Sequence, residues 1–312
     1  MVFETNYHYN YTPHTGGINM KIIVDTTCQI DPRLAKELGL IIIDYPLYLN
    51  GEEYEHRYDA PDNLEAKKKY IEQIKDKKSK GSTSGITATE FQRGCDLCKD
   101  DEILLITQSL NNTQATANTL KKFMNDHPEY NIKNFDTEIL ASGVGAQTLA
   151  LIREMKNKEM TREECLALLE KNRANAYVVG ILYDLFYLHR SGRLGLAKAA
   201  MASAMRLYPL LSSTPRSGEL KATGKVRNYK QGNARFLDAI KGQMQERNSH
   251  VLTVNMSYSP GHKKECEHMK ELLYSAAEEL GWHLEVYIHL TNFSLLPHMG
   301  PDFYEMGYVI HT

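Results

Sequence analysis

No apolar run in this 312-residue chain reaches the ~18 residues that a membrane-spanning helix needs, and no signal peptide is visible. Cysteine is scarce: the five present are odd in number and form no disulfide-like framework, so a cytoplasmic setting with reduced thiols is expected. Cys95 and Cys98 form one C-x-x-C. It lacks the Pro or aromatic context of a redox pair, and a structural zinc would need a second such pair. Two half-buried helix thiols are the expectation. Charge of one sign is also missing, with 37 Lys and Arg against 39 Asp and Glu. No basic cluster is large enough for a nucleic-acid footprint; Lys67-Lys68-Lys69 followed by Lys75, Lys77, Lys78 and Lys80 reads as a solvated helix face. The histidines show no metal-ligand spacing. Neither G-x-x-x-x-G-K-[ST] nor G-x-S-x-G occurs, which argues against a nucleotide-cradling loop and a serine nucleophile elbow. Neither an internal repeat nor a low-complexity block is present.

What the chain does have is a series of short segments rich in Gly, Ser, Thr or Asn. They are Asp25-Thr26-Thr27, Gly81–Gly85, Ser109–Thr113, Ala141–Gly145 and Ser191-Gly192-Arg193, with a sixth at Pro297–Pro301. The first five each follow a predicted strand or open a predicted helix. Hydroxyls and free backbone N–H groups at helix starts attract anions. Several such loops at the strand ends of one α/β sheet would converge on one anionic group.

The hydrophobic fraction of 42% is that of a globular chain, and its length favours two domains. Residues 1–19 hold little aliphatic side chain and read as a tail, disordered or an expression remnant. From Met20 the pattern alternates: strands at 20–25, 40–44, 102–107 and 130–136, and helices at 31–38, 61–74, 87–98, 114–123 and 143–155. Thr161-Arg-Glu-Glu164 is a capping box opening a helix to Lys171. This alternation predicts a largely parallel, Rossmann-like sheet flanked by helices over residues 20–173. After about residue 172 the pattern becomes mixed α/β, placing a second domain at 174–312. Its strands are expected at 176–181, 210–213, 219–223, 251–255 and 283–290. Its helices are expected up to Leu188 and at 196–207, 234–245 and 262–280.

Read in order, these segments resemble the DegV family of bacterial lipid-binding proteins, which includes the fatty-acid-carrier subunits of fatty acid kinase. Val24-Asp25-Thr26-Thr27 resembles the family's opening strand with Asp-Ser-Thr. Thr83-Ser84-Gly85-Ile86-Thr87 through Phe91 resembles its Thr-Ser-Gln-Pro-Ser loop. Asn111-Asn112-Thr113 sits where the family has Ser-Gly-Thr, and Asp136-Thr137 through Gly143-Val144-Gly145 is similar to its Asp-Ser…Gly-x-Gly stretch. Tyr187–Leu194, Gly224–Arg227 and His298-Met299-Gly300-Pro301 match later segments. The resemblance implies a two-domain α/β protein holding one fatty acid in an apolar slot between the domains. It implies no catalytic residue, cofactor or metal in the chain: a separate ATP-dependent kinase subunit would phosphorylate the bound acid to an acyl phosphate, for phospholipid synthesis.

By the same resemblance Thr83 and Ser84 hold the carboxylate together with Asn111, Asn112 and Thr113, and His298 lies close to the head group. Arg193 and Arg227 would face the kinase subunit, with Arg190 a weaker candidate. Such a site has a physical logic. Burial of the chain supplies affinity at about 0.8 kcal/mol per CH₂, while the carboxylate must be hydrogen-bonded to be buried at all. Hydroxyl and backbone donors do this without a salt bridge and leave an oxygen free to attack a phosphoryl donor. Helix capping is the plain alternative for Thr83 and Ser84, and a surface turn or an ordinary ion pair for His298 and the arginines. Asn111 for Ser, Asn112 for Gly, Gly85-Ile86 for Gln-Pro and Asp302 for Gly depart from the family. Asn112 is expected to stand in for Gly by tolerating left-handed backbone. The helix at 196–207, rich in small residues and Met, reads as buried core or as a lid that touches a membrane surface transiently. A monomer is expected. A lipid-responsive sensor, a carrier of a smaller carboxylate or phosphate, and a stand-alone transferase are the competing readings.

Overall fold

The computed structural model describes residues 20–58, 63–191 and 207–312. The tail, Arg193 and the helix expected at 196–207, apart from Leu207, lie outside the described residues. Strands and helices alternate in the first half as the sequence pattern predicts. β1 (Met20–Asp25) leads through a 3-10 turn (Thr26–Cys28) to α1 (Pro32–Glu37) and β2 (Ile41–Ile43). β3 (Leu47–Leu49), β4 (Glu52–Glu53), α2 (Asn63–Lys75) and β5 (Gly81–Thr83) follow, then α3 (Ala88–Asp96), β6 (Glu102–Thr107), α4 (Gln114–Asp126) and β7 (Ile132–Asp136). α5 (Ser142–Asn157) and α6 (Arg162–Arg173) precede β8 (Ala176–Leu182), α7 (Phe186–Arg190), β9 (Tyr208–Ser213) and β10 (Lys221–Val226). The chain finishes with α8 (Tyr229–Glu246), β11 (Val251–Tyr258), α9 (Lys263–Leu280), β12 (His283–Leu290), α10 (Leu296–Met299) and β13 (Phe303–Ile310).

Side chains set many of these boundaries. Asp31 accepts the Arg33 N–H at 2.9 Å, with Pro32 opening α1. Thr161 and Glu164 form the expected capping box. Asn228 caps α8 by accepting the Gln231 N–H at 3.0 Å, and Gly281 ends α9 in the left-handed region.

β2, β1, β6 and β7 form a wholly parallel sheet in that order. A six-stranded mixed sheet runs β10-β9-β8-β13-β11-β12, with β11 and β12 its parallel pair. α3 and α4 cover one face of the parallel sheet through Phe91, Leu120 and Phe123. α8 and α9 cover the outer face of the mixed sheet through Phe236, Ile240, Met269 and Leu273. Between the sheets lies α5, buried at every residue from Ser142 to Ile152. One core joins its Val144 and Leu151 to Val24 and Ile106 on one side and to Val178 and Val309 on the other. Its buried Gln147 amide donates to the Thr137 carbonyl at 3.2 Å and its Thr148 hydroxyl to the Val144 carbonyl at 2.9 Å. Its first turn needs glycine: a Cβ on Gly145 would strike the Cys28 carbonyl and the Asn255 amide, and one on Gly307 would strike the Ser142 backbone.

One strand is added to the sequence reading and three expectations are corrected. β13 was not anticipated, yet it pairs with both β8 and β11 and is buried throughout. Gly81–Thr83, read as loop, is β5 of a small antiparallel sheet ordered β4-β3-β5. Lys67 is not on a solvated face: helical spacing places it with Tyr70, Ile71 and Ile74 on the inner side of α2, and burial pushes its pKa down to about 8. Cys95 and Cys98 are fully rather than half buried, with thiols pushed up by burial to about 12 and about 11, which keeps them protonated and unreactive.

Candidate functional site

A cavity of about 820 Å³ lies where the loops of the parallel sheet meet the mixed sheet. Loops of the parallel sheet contribute Thr27, Gln108 and the stretch Asn112–Ala115, and the end of β5 with the loop after it contributes Thr83, Ser84 and Gly85. The opposite side contributes Val178, Leu188, Gly218–Leu220, Ser294, Leu295, His298, Met299 and Glu305. No Lys or Arg is among these lining residues. An anion bound here would rely on hydroxyl, amide and imidazole donors.

Thr83 stands at the end of β5 and His298 in α10, and their side chains meet: Oγ1 lies 2.9 Å from Nε2. The capping alternative for Thr83 and Ser84 falls instead on Thr87, whose hydroxyl accepts the Glu90 N–H at 3.2 Å. Ser84 is exposed beside them and its N–H donates to the Pro46 carbonyl. His298 sits in a single helical turn rather than a bare turn. Gly300 then turns the chain at φ +76°, and a Cβ there would collide with the Tyr187 ring. Two separate motif segments, 187–190 and 298–301, are thus packed face to face.

The Ser109–Thr113 turn is built from below. The Asp136 carboxylate accepts the Leu110 N–H through both oxygens at 3.2 and 3.3 Å. Asp25, fully buried with its pKa raised by desolvation, accepts from the Thr27 N–H and hydroxyl and from the Gln108 N–H. These acids hold loops rather than ligand. Asn112 and Thr113 line the cavity, whereas Asn111 is not among its lining residues. Asn112 does not adopt left-handed backbone. Its amide donates to the Gly218 carbonyl across the cavity, and Gly218, at φ +55°, leaves no room there for a Cβ. Gly85 has a similar cause: a Cβ would come within 2.7 Å of the Ala115 Cβ.

Of the other residues singled out in the sequence, Arg190, Arg227 and Asp302 are not among the lining residues. Arg227 is exposed just beyond β10. Arg190 is structural: it donates to the Ser79 carbonyl and stacks on Phe186 and Tyr187. Asp302 pairs with His262 at 3.2 Å. Sequence reasoning missed Glu305. It projects from β13 into the cavity wall, and burial pushes its pKa up to about 7. The signal available was an acid within the apolar run FYEMGYVI.

The architecture recurs in solved structures. A fatty-acid-binding DegV family protein from Thermus thermophilus superposes with a TM-score of 0.78 at 20% identity, over 94% of this chain and 100% of that one. A stearic-acid-binding protein from Eubacterium ventriosum gives 0.75 at 18% identity, over 93% and 98%. At these identities the likeness establishes the fold. By sequence, a DegV domain-containing protein of Halalkalibacterium halodurans is 23% identical over 75% of this chain and 80% of its own length. One from Clostridium perfringens is 22% identical over 73% and 79%. The family model described as uncharacterised protein, DegV family, matches residues 19–310, and the chain therefore belongs to the DegV family.

Proposed function

We propose that this protein binds one long-chain fatty acid in the cavity between its sheets and presents the carboxylate to a separate ATP-dependent kinase subunit, which makes the acyl phosphate. The observation that carries the reading is the Thr83–His298 pair, 2.9 Å apart, on the wall of a cavity of about 820 Å³. That volume suits a small-molecule ligand. In the proposal Thr83, Ser84, Asn112, Thr113 and His298 form the head-group side, and the tail runs along Leu140, Val178, Leu188, Leu220 and Leu295. Residues 20–173 supply the loops and 174–312 the opposite wall. The structural neighbours support the ligand class: the Thermus thermophilus DegV family protein is described as binding fatty acid, the Eubacterium ventriosum protein as binding stearic acid, and a DegV family protein from Ruminococcus gnavus as a structure with vaccenic acid.

The chain itself performs no chemistry in this reading. Neutral donors leave the carboxylate oxygen nucleophilic, and the phosphoryl group comes from the partner. Arg227, exposed beyond β10, is a docking residue for that partner; Arg193 is assigned the same role. The protein acts as a cytoplasmic monomer that touches the membrane surface only to exchange lipid. Among the described residues no helix is long and apolar enough to cross a membrane.

Native mass spectrometry of the purified chain, followed by solvent extraction, tests the proposal. A stoichiometric adduct that extracts as a fatty acid supports it. An unliganded mass after incubation with oleate and palmitate overturns it.

A further inference from the structure

The wall of the cavity carries one group that a plain hydrocarbon tail does not satisfy. Glu305 is 2% exposed and lines the cavity beside the apolar Val178, Leu140 and Ala141. Its Oε1 accepts three hydrogen bonds: from the Ser142 N–H at 3.2 Å, the Ser142 hydroxyl at 2.7 Å and the Ser257 hydroxyl at 2.9 Å. Its Oε2 makes none among the described residues. The side chain is also fixed in place. It is paired across the sheet with Ser257 on β11 and with Gly180 on β8, where an added Cβ would stand 3.1 Å from the Glu305 Cβ.

A fatty-acid tail laid against this oxygen would leave a buried polar atom dry and unpartnered, which weakens binding. A hydroxyl on the tail would remove that penalty. It suits either protonation state of Glu305, donating to a carboxylate and accepting from a carboxyl O–H. An ammonium could only donate. The Ser142 N–H at the first turn of α5 and the two serine hydroxyls already oppose negative charge at Oε1, so a counter-charge is not required. Among the described residues no lining Lys or Arg competes for the free oxygen.

We propose that Glu305 is a specificity-determining residue that selects a long-chain acid bearing a hydroxyl part-way along its tail. This rests on the fatty-acid reading above and narrows it.

The test is competitive binding to the full chain of stearate and of monohydroxystearates with the hydroxyl walked along the tail. The expected result is that at least one positional isomer binds about tenfold tighter than stearate, and that Glu305→Met, similar in length but without oxygens, abolishes the preference. The wild-type comparison stands without the variant. Stearate binding as tightly as every isomer overturns the hydroxyl assignment alone, as does a preference that survives in a folded Glu305→Met protein. Binding of neither stearate nor any isomer overturns the fatty-acid reading and this one with it.

Discussion

Thr83 and His298, 215 residues apart in the chain, share a 2.9 Å hydrogen bond across the cavity. Each arrives from a different packing unit, Thr83 from the small sheet and His298 from α10. With Nε2–H donating to the Thr83 oxygen, the Thr83 O–H is left to donate to an anion. Thr83→Ala and His298→Ala are each expected to weaken fatty-acid binding roughly 5- to 20-fold, while Thr83→Ser retains most of it. Isothermal titration with oleate checks this. A Thr83→Ala protein with wild-type affinity would remove Thr83 from the head-group role.

The two neighbouring asparagines separate cleanly. The Asn112 amide ties its turn to Gly218, whereas Asn111 is not among the cavity-lining residues. Asn112→Ala is expected to cost about 1 kcal/mol in urea unfolding, and Asn111→Ala to stay within about 0.5 kcal/mol of wild type. Gly218→Ala should cost more than either, because it adds a clash to a left-handed backbone.

Glu305 gives a pH signature with a definite sign. Its ordinary pKa of 4.5 is pushed to about 7 in the folded chain. Between those values the unfolded chain gives up the proton first, so folding loses stability as pH rises through that window. Glu305→Gln removes the loss and still accepts from Ser142 and Ser257. The variant should therefore exceed wild type by about 1–3 kcal/mol at pH 8, with the gap closing towards pH 4.5. A constant gap across that range would show that Glu305 does not titrate with folding.

Ala141 opens α5 at φ 52° and ψ −134°, a conformation that a side chain resists. Ala141→Gly should raise stability by about 0.5–1 kcal/mol despite the greater freedom it gives the unfolded chain. Thermal unfolding reads this directly.

The sequence announced the parallel half of the fold through its caps and aliphatic runs: Met20–Asp25, Glu102–Thr107 and the Thr161–Glu164 box are each local signals. β13 was hidden because Glu305, its third residue, and the preceding Pro301-Asp302 interrupt the apolar pattern. Alternation decodes it afterwards. Tyr304, Met306 and Tyr308 face the outer core, while Glu305 and Gly307 face α5. β3 and β5 have three residues each and β4 only two, too few to show a period. At the site, Thr83 and His298 were visible from motif order. The use of the Asn112 amide was not, since its acceptor lies on Gly218, far along the chain.

α5 is the only helix in the described residues that the core places between both sheets. Neither sheet can lose it without exposing a full apolar face. The two halves should accordingly melt together, as a single calorimetric transition with equal van't Hoff and measured enthalpies. Separately expressed halves would each lack a wall of their core. If the chain is the carrier proposed above, its cargo is expected to leave through rearranged loops around the cavity rather than by the halves swinging apart.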